Sequence, residues 1–528
     1  MFRQSPDDID CPTTSITNRR WQRPRSILLA AALIAAAGAC ADDANTEPEN
    51  GFDADAGVTT DPPPVETDPP DESVATNEEG AGDDDADTGD YVRSTDDADS
   101  TDEEIERGTG GSWTISIPLD DTNTAPEIDQ ALAENPLDAD YWLWDWWPVR
   151  DRDGVPAEID GWHVAIALAA PSDVLPGQRH DIAELRYLVS DDNGETWSAT
   201  QPLWDRDDAE GSRQWAGSAL YDAETETLFS FYTAAGVTGE RFEPPSIDEI
   251  RARDDGSDID DEGAADYTGD EGISYEQRMA LATARVVVGA DGPRFEDWSD
   301  HQILFEGDGE LYAATAGTEG GAGEIDAFRD PEYFRDPADG EEYLLFTATM
   351  PDARCDGDGV IGIARLAGES DELSDWEVLP PLVDGHCVNN ELERPHVVVS
   401  DDRYYLLFTT HAHTFDDHVN GPEGLYGFVA DDLMGPYEAL NGTSLVLANP
   451  SEAPFQAYSW MTLPNGVTTS FFQYWGLDDD VDLEYVGEQD PEFQLERFAG
   501  TFAPSIEIIF DGNSTRVGEE LAPGQLSP

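Results

Sequence analysis

From Trp113 onward the chain offers only short apolar runs broken by turn-rich segments. GWHVAIALAA, AELRYLVS, LFSFYTAA, EEYLLFTATM, GVIGIARL, RYYLLFTTH, GLYGFVA, TTSFFQYW and FAPSIEIIF are the clearest. The runs are rich in β-branched and aromatic residues, and none carries a strong helical period, so the region is expected to be all-β. That many strands spread over residues 113–528 imply a propeller or stacked sandwiches.

A local pattern favours the propeller. Ser190 to Trp197 read SDDNGETW, which fits the Ser-x-Asp-x-Gly-x-Thr-Trp hairpin turn of sialidase-like propellers, the Asp-box. Its Asp and Gly build the turn and its Trp plugs the blade, so it speaks for hairpins and not for an activity. Residues 244–272, rich in Asp and Glu, read as an acidic surface insertion.

Charge excludes several partners. The chain holds 116 acidic against 27 basic residues, net −89, and every strong base is an arginine. Such a charge repels nucleic acid and anionic bilayers. Residues 41–112 are dense in Asp, Glu, Pro, Gly, Thr and Ser and read as a disordered linker. The 113–528 region stays strongly acidic, which fits a protein working in high salt, where the Debye length is roughly 3 Å at 1 M. A generally acidic secreted protein in moderate salt is the alternative.

Residues 1–40 read as an export signal. Arg19, Arg20, Arg23 and Arg25 precede an apolar run from Ser26 to Ala39 that is too short to span a bilayer. The paired arginines hint at twin-arginine export. AAGAC resembles a lipoprotein processing site with Cys40 as the lipidated residue, so membrane attachment is expected only through that anchor. The usual leucine of that site is Ala37 here, and ordinary signal-peptidase cleavage is the alternative; either route places the domain outside the cell. Cys355 and Cys387 are then the only cysteines of the exported domain, as a disulfide or as two buried thiols.

With so many acids, residue type alone selects nothing. The informative acids lie in aromatic or arginine-rich sequence: Asp145 in LWDWWP, Asp330 in FRDPEYFRDP and Glu393 in NNELERPHV. Cleavage of a glycosidic bond needs two carboxyl groups across it, one as nucleophile or base and one as acid. Tryptophan faces stack on sugar rings, and arginine orients carboxylates and hydroxyls. For any one of these acids alone, a buried ion pair or a turn is the simpler explanation.

Taken together, the three segments resemble glycoside hydrolase family 68, the levansucrases and inulosucrases, over most of residues 135–525. Trp144, Asp145, Trp147 and Pro148 match the family's nucleophile segment Trp-Asp-(Ser/Thr)-Trp-Pro. Arg329, Asp330 and Pro331 match its Arg-Asp-Pro, and Glu391, Glu393 and Arg394 its Glu-x-Glu-Arg. QWAGSA around Trp215, AYSW around Tyr458 and GTFAPS near the C-terminus agree with further family segments. The resemblance implies a five-bladed β-propeller with a central funnel, a monomer acting on sucrose and fructan acceptors, and no cofactor.

It also implies roles. Asp145 is the expected nucleophile, Asp330 the transition-state stabiliser and Glu393 the acid/base, with Trp144, Trp215, Arg329, Glu391, Arg394, Tyr458 and His411 binding substrate. Of the two Arg-Asp-Pro segments the first is assigned to the site, leaving Asp336 to a following turn. Asn390 stands where calcium-binding members carry an aspartate. Cys387 resembles the cysteine of Gram-negative members that use a disulfide, so a Cys355–Cys387 bridge and no required metal are expected.

Two departures matter. Trp146 replaces a small hydroxyl residue beside the nucleophile, and Ala216 replaces a serine that orients it, so Asp145 is expected to be less firmly held. Glu393 must be protonated to act as an acid, so its pKa is expected to be raised by burial or by Glu391. An invertase-like hydrolase would share the three acids but carry an Asn-Asp-Pro-Asn-like segment, which is absent. A sialidase would show more than one Asp-box, and a polysaccharide-binding lipoprotein would not need all three acids.

Overall fold

The computed structural model describes residues 118–528 apart from 241, 243, 246, 248–249, 251–273, 317–324, 352–356, 369–371, 386, 417–418, 420, 478–485 and 488. The export signal with Cys40, the linker, Cys355 and most of the acidic insertion lie outside the described residues.

Five antiparallel sheets follow one another along the chain, each with a main path of four strands. Blade 1 comprises Tyr141–Pro148, His163–Pro171, Glu184–Ser190 and Gln201–Pro202. Blade 2 comprises Arg213–Asp222, Thr227–Ala235, Gln277–Gly289 and Gly292–Glu296, with Gln302–Glu306 beside the third strand. Blade 3 runs Phe328–Arg335, Glu342–Thr349, Gly359–Leu366 and Trp376–Asp384. Blade 4 runs Glu393–Ser400, Arg403–Thr410, Gly424–Ala430 and Glu438–Ala439, with Leu445–Ala448 added. Blade 5 runs Ala457–Thr462, Val467–Tyr474, Pro504–Asp511 and Ser514–Pro523, with Phe498–Phe502 on its second strand. The first strands touch one another in a closed ring, 1 to 5 and back to 1. This is the five-bladed propeller with a central funnel that the sequence implied.

The second strands explain how the blades pack. HVAIALAAP is buried along all but its ends, as expected for a strand sandwiched between neighbouring blades, and its alanines permit close approach. The Asp-box contributes to closure of the ring. Asp192 accepts from the Thr196 hydroxyl (2.6 Å) and the Thr196 amide (2.9 Å) to shape the turn. Asn193 then holds the C-terminal tail through Ser527 Oγ (2.8 Å) and the Leu526 amide (3.1 Å).

The feature that builds the site is a repeated bulge. In every inner strand the pairing with the second strand slips at one point: between Trp144 and Trp147, Trp215 and Gly217, Arg329 and Glu332, Glu393 and His396, and Tyr458 and Met461. A bulge bends its strand and re-aims the side chains it carries. Four of the five place a non-glycine residue in the left-handed region: Asp145 at φ 42°, Asp330 at 63°, Arg394 at 49° and Ser459 at 62°. Non-glycine residues rarely adopt that conformation and tend to do so at functional sites.

The same bulge accounts for Trp146. Its ring is buried and stacks on Phe502 of blade 5 (centroids 4.1 Å apart, 12° between planes), and its Nε1 donates to the Ser470 carbonyl at 2.8 Å. Trp197 of the Asp-box meets it edge-on at 6.1 Å. Trp146 therefore ties blade 1 to blade 5. Trp146→Ala is expected to destabilise the fold by about 3–5 kcal/mol, the usual cost of removing a buried tryptophan, measured by denaturant unfolding.

Candidate active site

The five bulges generate two rings of equivalent positions around the funnel. The residue before each bulge is Trp144, Trp215, Arg329, Glu393 or Tyr458, and the first residue within it is Asp145, Ala216, Asp330, Arg394 or Ser459. Eight of the ten site residues named from sequence fall on these rings. Glu391 and His411 lie in the segments flanking blade 4's first two strands.

Arg329 is the hub of the acids. Its Nη2 donates to Glu393 Oε1 at 2.9 Å and lies 3.1 Å from Glu391 Oε1, and its Nε is 3.9 Å from Asp330 Oδ2. Asp330 Oδ2 accepts from the Thr347 hydroxyl (2.9 Å) and the Arg394 amide (3.2 Å). The Tyr458 hydroxyl donates to Glu393 Oε2, and the His411 ring stacks on Tyr458 with centroids 3.6 Å apart. His411 Nδ1 is 3.1 Å from Glu423 Oε1. Arg394 donates to the Ser459 hydroxyl and carbonyl and, at 3.0 Å, to the Trp146 carbonyl, so blade 4 clamps blades 1 and 5 beside Asp145.

The Ser459 hydroxyl on blade 5 also opposes the rise of the Asp145 carboxyl. Trp144 has no exposed surface; His180 meets its ring edge-on at 5.5 Å, and the Arg179 guanidinium sits 5.4 Å from its centroid. Trp215, 8% exposed, and Tyr458, 5% exposed, keep a little accessible surface. Asp336 accepts from the Tyr404 hydroxyl at 2.6 Å and from the Ala338 amide, away from the acid cluster and in the turn assigned to it. Cys387 is disulfide-bonded.

Burial controls protonation here, because desolvation penalises the ionised carboxyl. It raises Asp145 against the opposing pull of Arg394 and Arg179. Asp330 is pushed up to about 7 by burial, with Arg329 opposing and Glu393 and Asp145 adding to the rise. Glu391 is also raised by burial. Glu393 runs against the sequence expectation. Burial pushes it up, but Arg329, His411 and the Tyr458 hydroxyl together outweigh burial and hold it below the ordinary range. The raised acids are Glu393's neighbours Asp330 and Glu391. His411 is raised because Glu423, helped by Glu393 and Glu391, more than offsets burial.

Sequence reasoning missed Arg179, His180, Thr347, Glu423 and Ser459. Its filter sought acids in unusual company, and these residues are basic side chains, hydroxyls or an acid in ordinary loop sequence. Ser459 did sit in a flagged segment, but only Tyr458 was taken from it.

A family model described as levansucrase/invertase matches residues 109–357 and 352–526. Levansucrase LscC of Pseudomonas savastanoi pv. glycinea is 30% identical over 447 residues, covering 77% of this chain and 89% of its own. An extracellular sucrase of Zymomonas mobilis subsp. mobilis is 28% identical over 436 residues, covering 77% and 92%. Among solved structures, an inulosucrase from Halalkalicoccus jeotgali bound to kestose is similar with TM-score 0.67 and 38% identity, over 78% of this chain and 95% of that one.

Proposed function

The chain belongs to the levansucrase/invertase family, glycoside hydrolase family 68, and from that premise we propose that it is a levansucrase. It moves the fructosyl unit of sucrose onto a growing β-2,6-fructan, or onto water, and releases glucose. The observation that carries this reading is the meeting of Asp145, Asp330 and Glu393 with Arg329 in one buried cluster on the bulge ring. An inulosucrase, making β-2,1 bonds, is the second reading, favoured by the 38% identity to the inulosucrase structure.

In this reading sucrose enters the funnel with its fructosyl ring toward Trp215 and Tyr458, while Trp144, named from sequence as a sugar-binding residue, is fully buried and backs the site without reaching the sugar. An Asp145 oxygen attacks the fructosyl anomeric carbon, the bond from that carbon to the glucosyl oxygen breaks, and Glu393 gives its proton to that oxygen. Asp330, already bonded to Thr347 and the Arg394 amide, stabilises the positive charge that develops on the ring. Arg329, Glu391 and Arg394 fix the hydroxyls and the carboxyls, and His411 faces the acceptor. In the second half Glu393 takes the proton of an acceptor hydroxyl, which attacks the same carbon and frees Asp145.

Arg329, His411 and the Tyr458 hydroxyl hold Glu393 ionised, so its proton arrives with substrate. A sugar hydroxyl that displaces Arg329 or Tyr458 from Glu393 removes the interactions that depress it, while Asp330 and Glu391, raised by burial, sit beside it as proton sources.

The enzyme works outside the cell as a monomer, is attached to the membrane through Cys40 if that cysteine is lipidated, and carries a Cys355–Cys387 disulfide. Its acidity adapts it to high salt. The test is to incubate the purified protein with sucrose across salt concentrations and to follow glucose, fructose and polymer. Glucose in excess of fructose, polymer formation, and activity that rises toward molar salt are expected. Equal glucose and fructose with no oligomer at high sucrose would refute the transferase, and absence of glucose would refute the enzyme.

A further inference from the structure

Blade 4 carries a buried acid that the mechanism leaves unused. Glu423 immediately precedes the third strand, Gly424–Ala430, and His411 immediately follows the second, Arg403–Thr410. Thr410 and Gly424 are the last residues paired between those strands. Just beyond them the two side chains meet, with His411 Nδ1 3.1 Å from Glu423 Oε1. The Glu423 side chain is 1% exposed, its Oε2 has no hydrogen-bond partner, and among the described residues His411 is the one group that satisfies the carboxyl. A buried carboxyl with a single partner is costly to keep, and control of the imidazole is what the fold gains from it.

The other contacts of His411 fix the plane of its ring but not its setting within that plane. Tyr458 lies nearly parallel to it, with centroids 3.6 Å apart and 12° between planes, and His413 does so at 5.0 Å and 25°. A flat ring held by its faces can still turn over about χ2, which exchanges nitrogen and carbon at its edges. A directional bond at one edge selects between the two settings, and the bond to Glu423 is that contact. An ionised carboxyl only accepts, so the proton sits on Nδ1. Among the described residues Nε2 has no hydrogen bond, and the side chain keeps 18% of its surface exposed. We propose that Glu423 is a positioning residue that sets the His411 imidazole with Nε2 as its free edge, and thereby raises the share of fructosyl units passed to a sugar hydroxyl rather than to water. This rests on the reading of Glu393 as the acid/base and of His411 as the residue facing the acceptor. Tyr458, on which the imidazole lies, donates to Glu393 Oε2, so the imidazole stands one ring away from the carboxyl that takes the acceptor's proton. A sugar acceptor has to be held in one orientation to compete with water, which is abundant and needs no such hold.

The test follows glucose, free fructose and fructan formed from sucrose by Glu423→Leu, His411→Ala and the double variant, with folding checked by circular dichroism. Glu423→Leu is expected to lower the ratio of transfer to hydrolysis about fivefold, with glucose release within about threefold of the parent. Glu423→Gln, whose amide oxygen still accepts from Nδ1, is expected to keep the ratio within about twofold. In the His411→Ala background Glu423→Leu is expected to change the ratio no further, because a residue that acts through another has no effect once that other is gone. Should the leucine variant fail to fold, NMR of the parent labelled selectively at its histidine nitrogens carries the test. The His411 signal, identified by its loss in His411→Ala, is expected to show a proton on Nδ1. An unchanged ratio in Glu423→Leu, an added loss in the double variant, or a bare Nδ1 overturns the proposal. The two readings fail separately: if His411→Ala leaves the ratio unchanged the acceptor-facing reading fails, and if His411→Ala lowers it while Glu423→Leu does not, only the role of Glu423 fails.

Discussion

Replacing Asp145 by alanine is expected to lower glucose release from sucrose by on the order of 10⁴-fold, without loss of fold, because no other group can form the covalent intermediate. The geometry explains why no neighbour substitutes. The remaining acids are engaged elsewhere: Asp330 with Thr347 and the Arg394 amide, and Glu391 and Glu393 with Arg329. Among these acids Asp145 alone occupies the bulge of blade 1's first strand. Glucose release is measured enzymatically and folding by circular dichroism; a variant retaining a tenth of the parent rate would contradict the assignment.

Replacing Glu393 by glutamine removes the acid but keeps a side chain of the same shape for Arg329 and Tyr458. Glucose release from sucrose is expected to fall by about 10²- to 10⁴-fold, the usual worth of a positioned general acid. A fructosyl donor with an activated leaving group, such as p-nitrophenyl β-D-fructofuranoside, needs no proton, so its first step is expected to survive. The second step still lacks its base, and the variant should release one equivalent of p-nitrophenol quickly and then slow. Equal losses on both donors, with no burst, would argue against Glu393 as the acid.

The three acids could be found in the sequence because each lies next to residues that chemistry at a sugar demands: tryptophan beside Asp145, arginine beside Asp330 and Glu393. The propeller was legible for a similar reason, since short β-branched runs leave few other folds. The bulge ring was not legible. A bulge is a property of register against a partner strand, and nothing in LWDWWP alone reveals that Asp145 and Trp146 together oppose one residue of the neighbouring strand. Trp146 therefore looked like an intruder beside Asp145, when its ring serves the junction with blade 5.

Protonation was the least legible feature. The state of Glu393 is decided by Arg329, His411 and Tyr458, residues on blade 3, after the second strand of blade 4, and on blade 5. Burial alone, the only cause a local reading can supply, gives the wrong sign. Arg179 escaped notice for the same reason: its meaning comes from Trp144 and Phe498, which lie far from it in the chain.

The central claim is that Asp145 takes the fructosyl unit onto itself, and mass spectrometry of a trapped intermediate tests it most directly. The Glu393→Gln variant is mixed with p-nitrophenyl β-D-fructofuranoside, quenched in acid during the burst, digested and sequenced by tandem fragmentation. The account predicts one added hexosyl unit on the peptide containing YWLWDWWPVR, located at Asp145 and absent when Asp145→Ala is added to the variant. A hexosyl unit on any other residue, or a burst with no adduct on the protein, would contradict it.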